Sequence, residues 1–120
     1  MSARRWVPPM VWAAFILLLT SLPGSKLPHV SWREIDKLVH FLLYGTFAWL
    51  STRSLGRQRP VARIALLVVL GVSLFGAVDE WHQQFIPGRS MDPFDWMADT
   101  LGALTGAWSA LLTLRVEENA

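Results

Sequence analysis

An all-α membrane protein with four transmembrane helices is the fold class this sequence predicts, and three observations predict it. Of 120 residues 52% are hydrophobic, only 17% are charged, and the mean hydropathy is +0.34. The runs Leu17–Leu19, Leu66–Leu70 and Leu111–Leu114 lie in windows with almost no polar residue, where a water-soluble core would show amphipathic stripes. Seven tryptophans are many for this length, and Trp6, Trp32, Trp81, Trp96 and Trp108 fall near predicted segment ends, as an aromatic belt would place them.

The first helix is predicted over about residues 6–22, after Met-Ser-Ala-Arg-Arg. Pro8 and Pro9 suit its first turn, where a missing N–H has no partner in any case. A basic start, a short apolar core and a turn also describe a signal peptide, but Ser21-Leu-Pro-Gly24 is a poor cleavage site. Pro23–Ile35 reads as a loop with turn formers Pro23, Gly24 and Pro28. The second helix begins near Ser31 or Asp36 and is taken as 36–53. A polar connection with four arginines and Pro60 follows. The third helix, 61–83, holds the apolar run Ile64–Val78. Pro87-Gly88 marks a turn, Pro93 opens the fourth helix, 93–114, and Arg115–Ala120 reads as a polar tail. Helices of roughly 17–22 residues suffice to cross about 30 Å of hydrocarbon. Residues 1–120 then form a single transmembrane domain.

Orientation follows from basic residues. With the amino terminus inside, the inner face holds Arg4, Arg5, Arg53, Arg57, Arg59, Arg63 and Arg115; the outer face holds Lys26, Arg33, Lys37 and Arg89. Seven against four predicts both termini on the cytoplasmic side of the membrane. Cysteine is absent, which excludes disulfides, thiolate metal sites and a cysteine nucleophile. The arginines form no patch interleaved with aromatics, so nucleic acid is not an expected partner.

In this topology two polar clusters meet in the outer leaflet. On the second helix Asp36, His40 and Tyr44 recur every four residues and share a face. An acid at a helix start and a histidine satisfied by a neighbour is the plain structural alternative. On the third, Gly76, Glu80 and Gln83 share a face, with Asp79 and His82 one position around. Two acids at a helix carboxyl end need a positive partner, Arg89 or Lys37. Solvation is the simpler reading for Asp79, less so for Glu80. Arg89 follows a tight turn, and its guanidinium suits either an internal carboxylate, Glu80 or Asp95, or an anionic ligand held bidentately. On the fourth helix Asp92, Asp95 and Asp99 share a face continued by Gly102 and Gly106. Asp92 and Asp95 suit the helix amino end; Asp99, a turn deeper, is least explained by the dipole. Gly102-x-x-x-Gly106 reads as a packing face. Ionisable groups at the mouth of membrane segments are a functional-site hypothesis by default. Catalytic candidates are Asp36, His40, Glu80, Asp95 and Asp99; ligand-binding candidates are Arg89, His40, Tyr44, Glu80, Gln83, Asp92 and Asp95. A carboxylate–histidine cluster suits a divalent cation, but the spacing matches no metal signature. There is no HExxH, Walker loop or GxSxG elbow, and no cofactor is expected. Ser90 reads as a turn residue.

At these residues the chain resembles the VanZ-like family of small bacterial membrane proteins. The resemblance is carried by Asp36-Lys37-x-x-His40 with Tyr44, and by Asp79-Glu80-x-x-Gln83-x-Phe85-x-Pro87-Gly88-Arg89-x-x-Asp92-x-x-Asp95-x-x-Ala98-Asp99-x-x-Gly102. It covers about Pro23 to Gly106. One departure is Asp99, where the family commonly has asparagine. The resemblance implies a multi-pass protein of the bacterial cytoplasmic membrane, in a family whose namesake is associated with teicoplanin resistance. It implies no established reaction.

The expected function is recognition of an anionic cell-envelope component, a lipid-linked precursor or lipid head group, in an outward-facing polar pocket with Arg89 holding phosphate or carboxylate. One alternative is an enzyme using the carboxylates and His40 on a lipid phosphate or carbonyl. The other is a structural role, in which the polar residues pair with each other or pin a membrane-protein partner or a second copy.

Overall fold

The computed structural model describes residues 2–26, 32–56 and 60–120 and is all-helical there. Four helices, α1 (Val7–Thr20), α2 (Trp32–Leu55), α3 (Val61–Gln83) and α4 (Pro93–Asn119), are preceded and linked by single 3-10 turns at Ala3–Trp6 and Gly24–Lys26. Pro28, the Ser31 alternative for the start of the second helix, and Arg57 and Arg59 lie outside the described residues.

The helix ends have local causes. Pro8 and Pro9 occupy the first turn of α1, as the sequence predicts. Trp32–Ile35, expected as loop, is already helical; Glu34 stands in the first turn of α2, where an acid favours the dipole, and Asp36 follows one step deeper. Pro60 precedes α3 as its N-cap. Asp92 caps α4, its Oδ1 accepting from the Phe94 N–H at 2.9 Å, with Pro93 directly behind it. Residues 115–119, expected as a polar tail, continue α4: arginine and glutamate are good helix formers, and Glu117 is tied to Arg53 of α2 at 2.8 Å. Trp108 consequently lies inside α4 instead of near its end.

Alternating chain direction brings the end of α1, the start of α2, the end of α3 and the start of α4 to one end of the bundle. Small residues set how closely α2 and α4 approach. A Cβ on Gly102 would collide with the Phe41 carbonyl oxygen, and one on Gly106 with that of Gly45. The expected Gly102/Gly106 packing face is therefore used, against Phe41–Gly45 of α2. Ala48, Ala103 and Ala107 fill the seam, and Ile16, Val68 and Val72 close the core around it. Helix α1 packs on α2, where the Trp12 indole donates to the Leu43 carbonyl at 2.8 Å, and barely touches α3.

Leucines point away from this core. Leu18 is 71% exposed and Leu74 66%, with Leu42, Leu66, Leu70 and Leu101 similarly placed. Of the four expected membrane spans, α3 is long and apolar enough on length and composition. Helix α1 has 14 residues, and α2 and α4 carry the charged clusters described next.

Candidate functional site

Three helices supply the site. Asp36, His40 and Tyr44 lie on one face of α2; Gly76, Asp79, Glu80 and Gln83 come from the last two turns of α3; Asp92, Asp95 and Asp99 come from the first two of α4. Gly76 is what lets α4 in: a Cβ there would stand 2.8 Å from Asp99 Oδ2. The structure thus joins the two sequence clusters.

His40 is the centre, 2% exposed. Its Nδ1 lies 2.7 Å from Asp99 Oδ1. An ionised carboxylate only accepts, so Nδ1 carries the proton and donates it. Glu80 Oε1 lies 3.8 Å from the same nitrogen, while Nε2 faces Asp36 Oδ1 at 3.6 Å and Asp95 Oδ2 at 4.0 Å. Glu80 is held from two sides, accepting from the Asp92 backbone N–H at 3.0 Å and the Gln83 amide at 3.4 Å. Lys37 lies at the rim, its ammonium 3.2 Å from Asp92 and 3.3 Å from Asp95. Ser90 is exposed in the loop, as a turn residue.

A second network lies beneath. Tyr44 runs parallel to the His40 ring and donates to Asp79 Oδ2 at 2.8 Å; Thr20 of α1 donates to Asp79 Oδ1 at 2.8 Å. Asp79 is 1% exposed, so the plain alternative of a solvated loop acid does not hold for it. Its two oxygens are satisfied by hydroxyls, which stabilise a buried carboxylate without a cation. Beside it a cleft of about 440 Å³ runs between α1 and α3, lined by Leu17, Ser21, Phe75, Val78, Trp81 and His82.

Arg89 differs most from expectation. Its Nε donates to the Leu22 carbonyl at 3.1 Å, Nη2 to the Leu19 carbonyl at 3.2 Å and Nη1 to Gln83 Oε1 at 3.5 Å. These partners are the open carbonyls at the end of α1 and an amide, rather than Glu80 or Asp95. A guanidinium there completes the helix end and complements its dipole. Gly88, at φ +74°, turns the chain so that this happens, and the Gly24 N–H donates to the Pro87 carbonyl at 2.8 Å. The loop after α3 is thus stitched to α1. Arg89 is not expected to meet a ligand head-on in this arrangement.

Both stretches that carry this geometry, Asp36–Tyr44 and Asp79–Gly102, fall inside residues 4–114, which match the family described as VanZ/LLP1. The chain belongs to the VanZ/LLP1 family. Comparison with curated proteins and with solved structures gave no match. For a VanZ/LLP1 chain the membrane-associated character of the family agrees with α3, which among the described residues is long and apolar enough to cross a membrane.

Sequence reasoning missed Thr20, a hydroxyl in an apolar segment with no motif around it; only its place at the same end of the bundle as Asp79 pointed to it. Either Arg89 or Lys37 was expected to offset Asp79 and Glu80; Lys37 pairs instead with Asp92 and Asp95, and Arg89 with the Leu19 and Leu22 carbonyls and Gln83. The whole centre is acidic. Six acids, Asp36, Asp79, Glu80, Asp92, Asp95 and Asp99, stand at this end of the bundle against Lys37, Arg89 and His40.

Proposed function

We propose that this VanZ/LLP1 protein spans the bacterial cytoplasmic membrane four times with both termini cytoplasmic. In this reading the His40 centre opens on the outer side and recognises the anionic head group of a cell-envelope lipid or lipid-linked precursor. One observation carries the reading: the polar side chains are inside and the leucines outside. His40, Asp79, Glu80, Gln83, Asp95 and Asp99 are all buried, while Leu18, Leu66, Leu70 and Leu74 are bare. In water that exterior is a liability, and in lipid it is the expected surface. Polar groups retained within such a body mark a binding or reaction site by default. His40, Tyr44, Glu80, Gln83, Asp92 and Asp95 form the recognition surface, and Arg89 acts by holding the loop that carries Asp92.

Native mass spectrometry of protein extracted gently from membranes tests this. The expected result is one class of anionic lipid bound to wild type and lost from His40→Gln. Bare wild-type protein, or the same lipids on both, contradicts it and leaves the polar centre as internal scaffolding. The link to glycopeptides belongs to the same proposal and is read as the teicoplanin concentration that inhibits cells with and without the protein.

A second reading rests on the His40–Asp99 contact. A buried histidine oriented by a carboxylate is the arrangement of a general base, which favours turnover of a lipid phosphate or carbonyl. Product release with a bell-shaped pH profile, abolished in His40→Gln, is its signature.

A further inference from the structure

We propose that Asp36, His40 and Asp95 form a divalent-cation site of the zinc class, with Asp99 orienting the histidine. The geometry of the two ring nitrogens differs in kind. At 2.7 Å, Nδ1 and Asp99 are at hydrogen-bond length, too close to be two ligands of one ion. The distances from Nε2 to Asp36 and Asp95, 3.6 and 4.0 Å, are too long for hydrogen bonds. They suit two atoms sharing an ion: metal–nitrogen and metal–oxygen bonds of about 2.0–2.2 Å at tetrahedral angles separate the ligand atoms by roughly 3.4 Å. The three ligand atoms all lie within 4.8 Å of one another.

Three further features point the same way. With its proton on Nδ1, held by Asp99, His40 turns the Nε2 lone pair toward Asp36 and Asp95. A carboxylate holding the far nitrogen is the usual support of a metal-bound histidine. His40 is 2% exposed, so the ring is fixed within the fold with Nε2 aimed between the two carboxylates. Lys37 takes Asp95 Oδ1, leaving Oδ2 for the ion. The other triad, His40, Glu80 and Asp99, is less suited, because Nδ1 is already engaged and both Glu80 oxygens accept N–H bonds. One nitrogen and two oxygens favour zinc over magnesium or calcium, which prefer all-oxygen sites.

The ion answers a difficulty in the function proposed above. A head-group phosphate entering a carboxylate-rich centre meets repulsion unless a cation stands between them. That role rests on the recognition reading; the ion site itself does not.

The test uses full-length protein purified in detergent, stripped with chelator and titrated with zinc chloride, with bound metal counted by mass. Wild type is expected to bind one zinc per chain. Asp36→Asn and Asp95→Asn should weaken binding by about tenfold or more with unchanged helical circular dichroism, and Asp99→Asn by about tenfold at the same stoichiometry. Cobalt in place of zinc gives visible absorption bands that report the coordination geometry, which a merely structural role would not produce. Binding that is absent, unchanged in Asp36→Asn, or lost in Glu80→Gln but kept in Asp36→Asn overturns the site. Zinc-loaded protein that captures no anionic lipid leaves the site standing and overturns the recognition reading. Lipid capture by zinc-free protein upholds the recognition reading and removes the ion from it; the site itself is judged by the zinc titration alone.

Discussion

Four carboxylates lie within 4.0 Å of the His40 ring, so the effect of a substitution here depends on what it leaves unpaired. Asp99 uses only Oδ1, toward His40, and its Oδ2 is buried without a hydrogen-bond partner. An asparagine keeps the useful acceptor and removes the charge. Asp99→Asn should therefore change the unfolding free energy by less than about 1 kcal/mol, whereas Asp99→Ala, which strands the His40 N–H, should cost about 1–3 kcal/mol in thermal unfolding. Tyr44→Phe removes one of two hydroxyls that hold Asp79 and should also cost about 1–3 kcal/mol. The His40–Asp99 pairing was half legible: four-residue spacing put His40 with Asp36 and Tyr44, and Asp99 with Asp95. The Thr20–Asp79 bond was not, because it joins α1 to α3 through a hydroxyl of the kind most helices spend on their own carbonyls; the Ile16 carbonyl, 2.9 Å away, competes for the same proton.

Helix contacts divide into backbone-close and open ones, and glycine tells them apart. Gly106→Val places a side chain against the Gly45 carbonyl and should lose about 1–3 kcal/mol or part α2 from α4. Gly71 has nothing within 4 Å, so Gly71→Ala should add about 0.5–1 kcal/mol through helix propensity alone. Thermal unfolding of the two variants in one detergent separates these signs. Arg89→Lys keeps the charge but not the fork that spans Leu19 and Leu22, so hydrogen exchange should rise at the end of α1 and in the loop at 85–92 while the His40 centre stays protected. Equal exchange in both proteins would remove Arg89 from this role. The small-residue seam was readable as Gly-x-x-x-Gly, and so was Pro93 behind its Asp92 cap. Arg89 was not, because its partners are backbone carbonyls, which every sequence has and none advertises. The run Arg115–Asn119 misled for a related reason: charge alone reads as tail, while the Arg53–Glu117 pair makes it helix.

Across the whole molecule charge is sorted by end. Among the described residues seven acids lie at the His40 end with Lys26, Arg33, Lys37 and Arg89; Glu117 and Glu118 are at the other end with Arg4, Arg5, Arg53, Arg63 and Arg115. In the proposed orientation the positive-inside rule keeps the arginine-rich end in the cytoplasm and turns the acidic centre outward. The four-helix, all-α architecture was legible because apolar runs and helix-start prolines act locally. Membrane depth was less so, since α2 and α4 carry charges that only packing hides. The absence of cysteine makes orientation directly measurable on intact cells with an impermeant maleimide. Ser90→Cys, exposed in the loop beside Asp92, and Glu118→Cys, exposed near the end of α4, mark the two ends. The account predicts that Ser90→Cys is labelled on intact cells and Glu118→Cys only after the membrane is opened. Labelling of Glu118→Cys alone on intact cells would contradict it, placing the His40 centre in the cytoplasm and out of reach of the outer envelope.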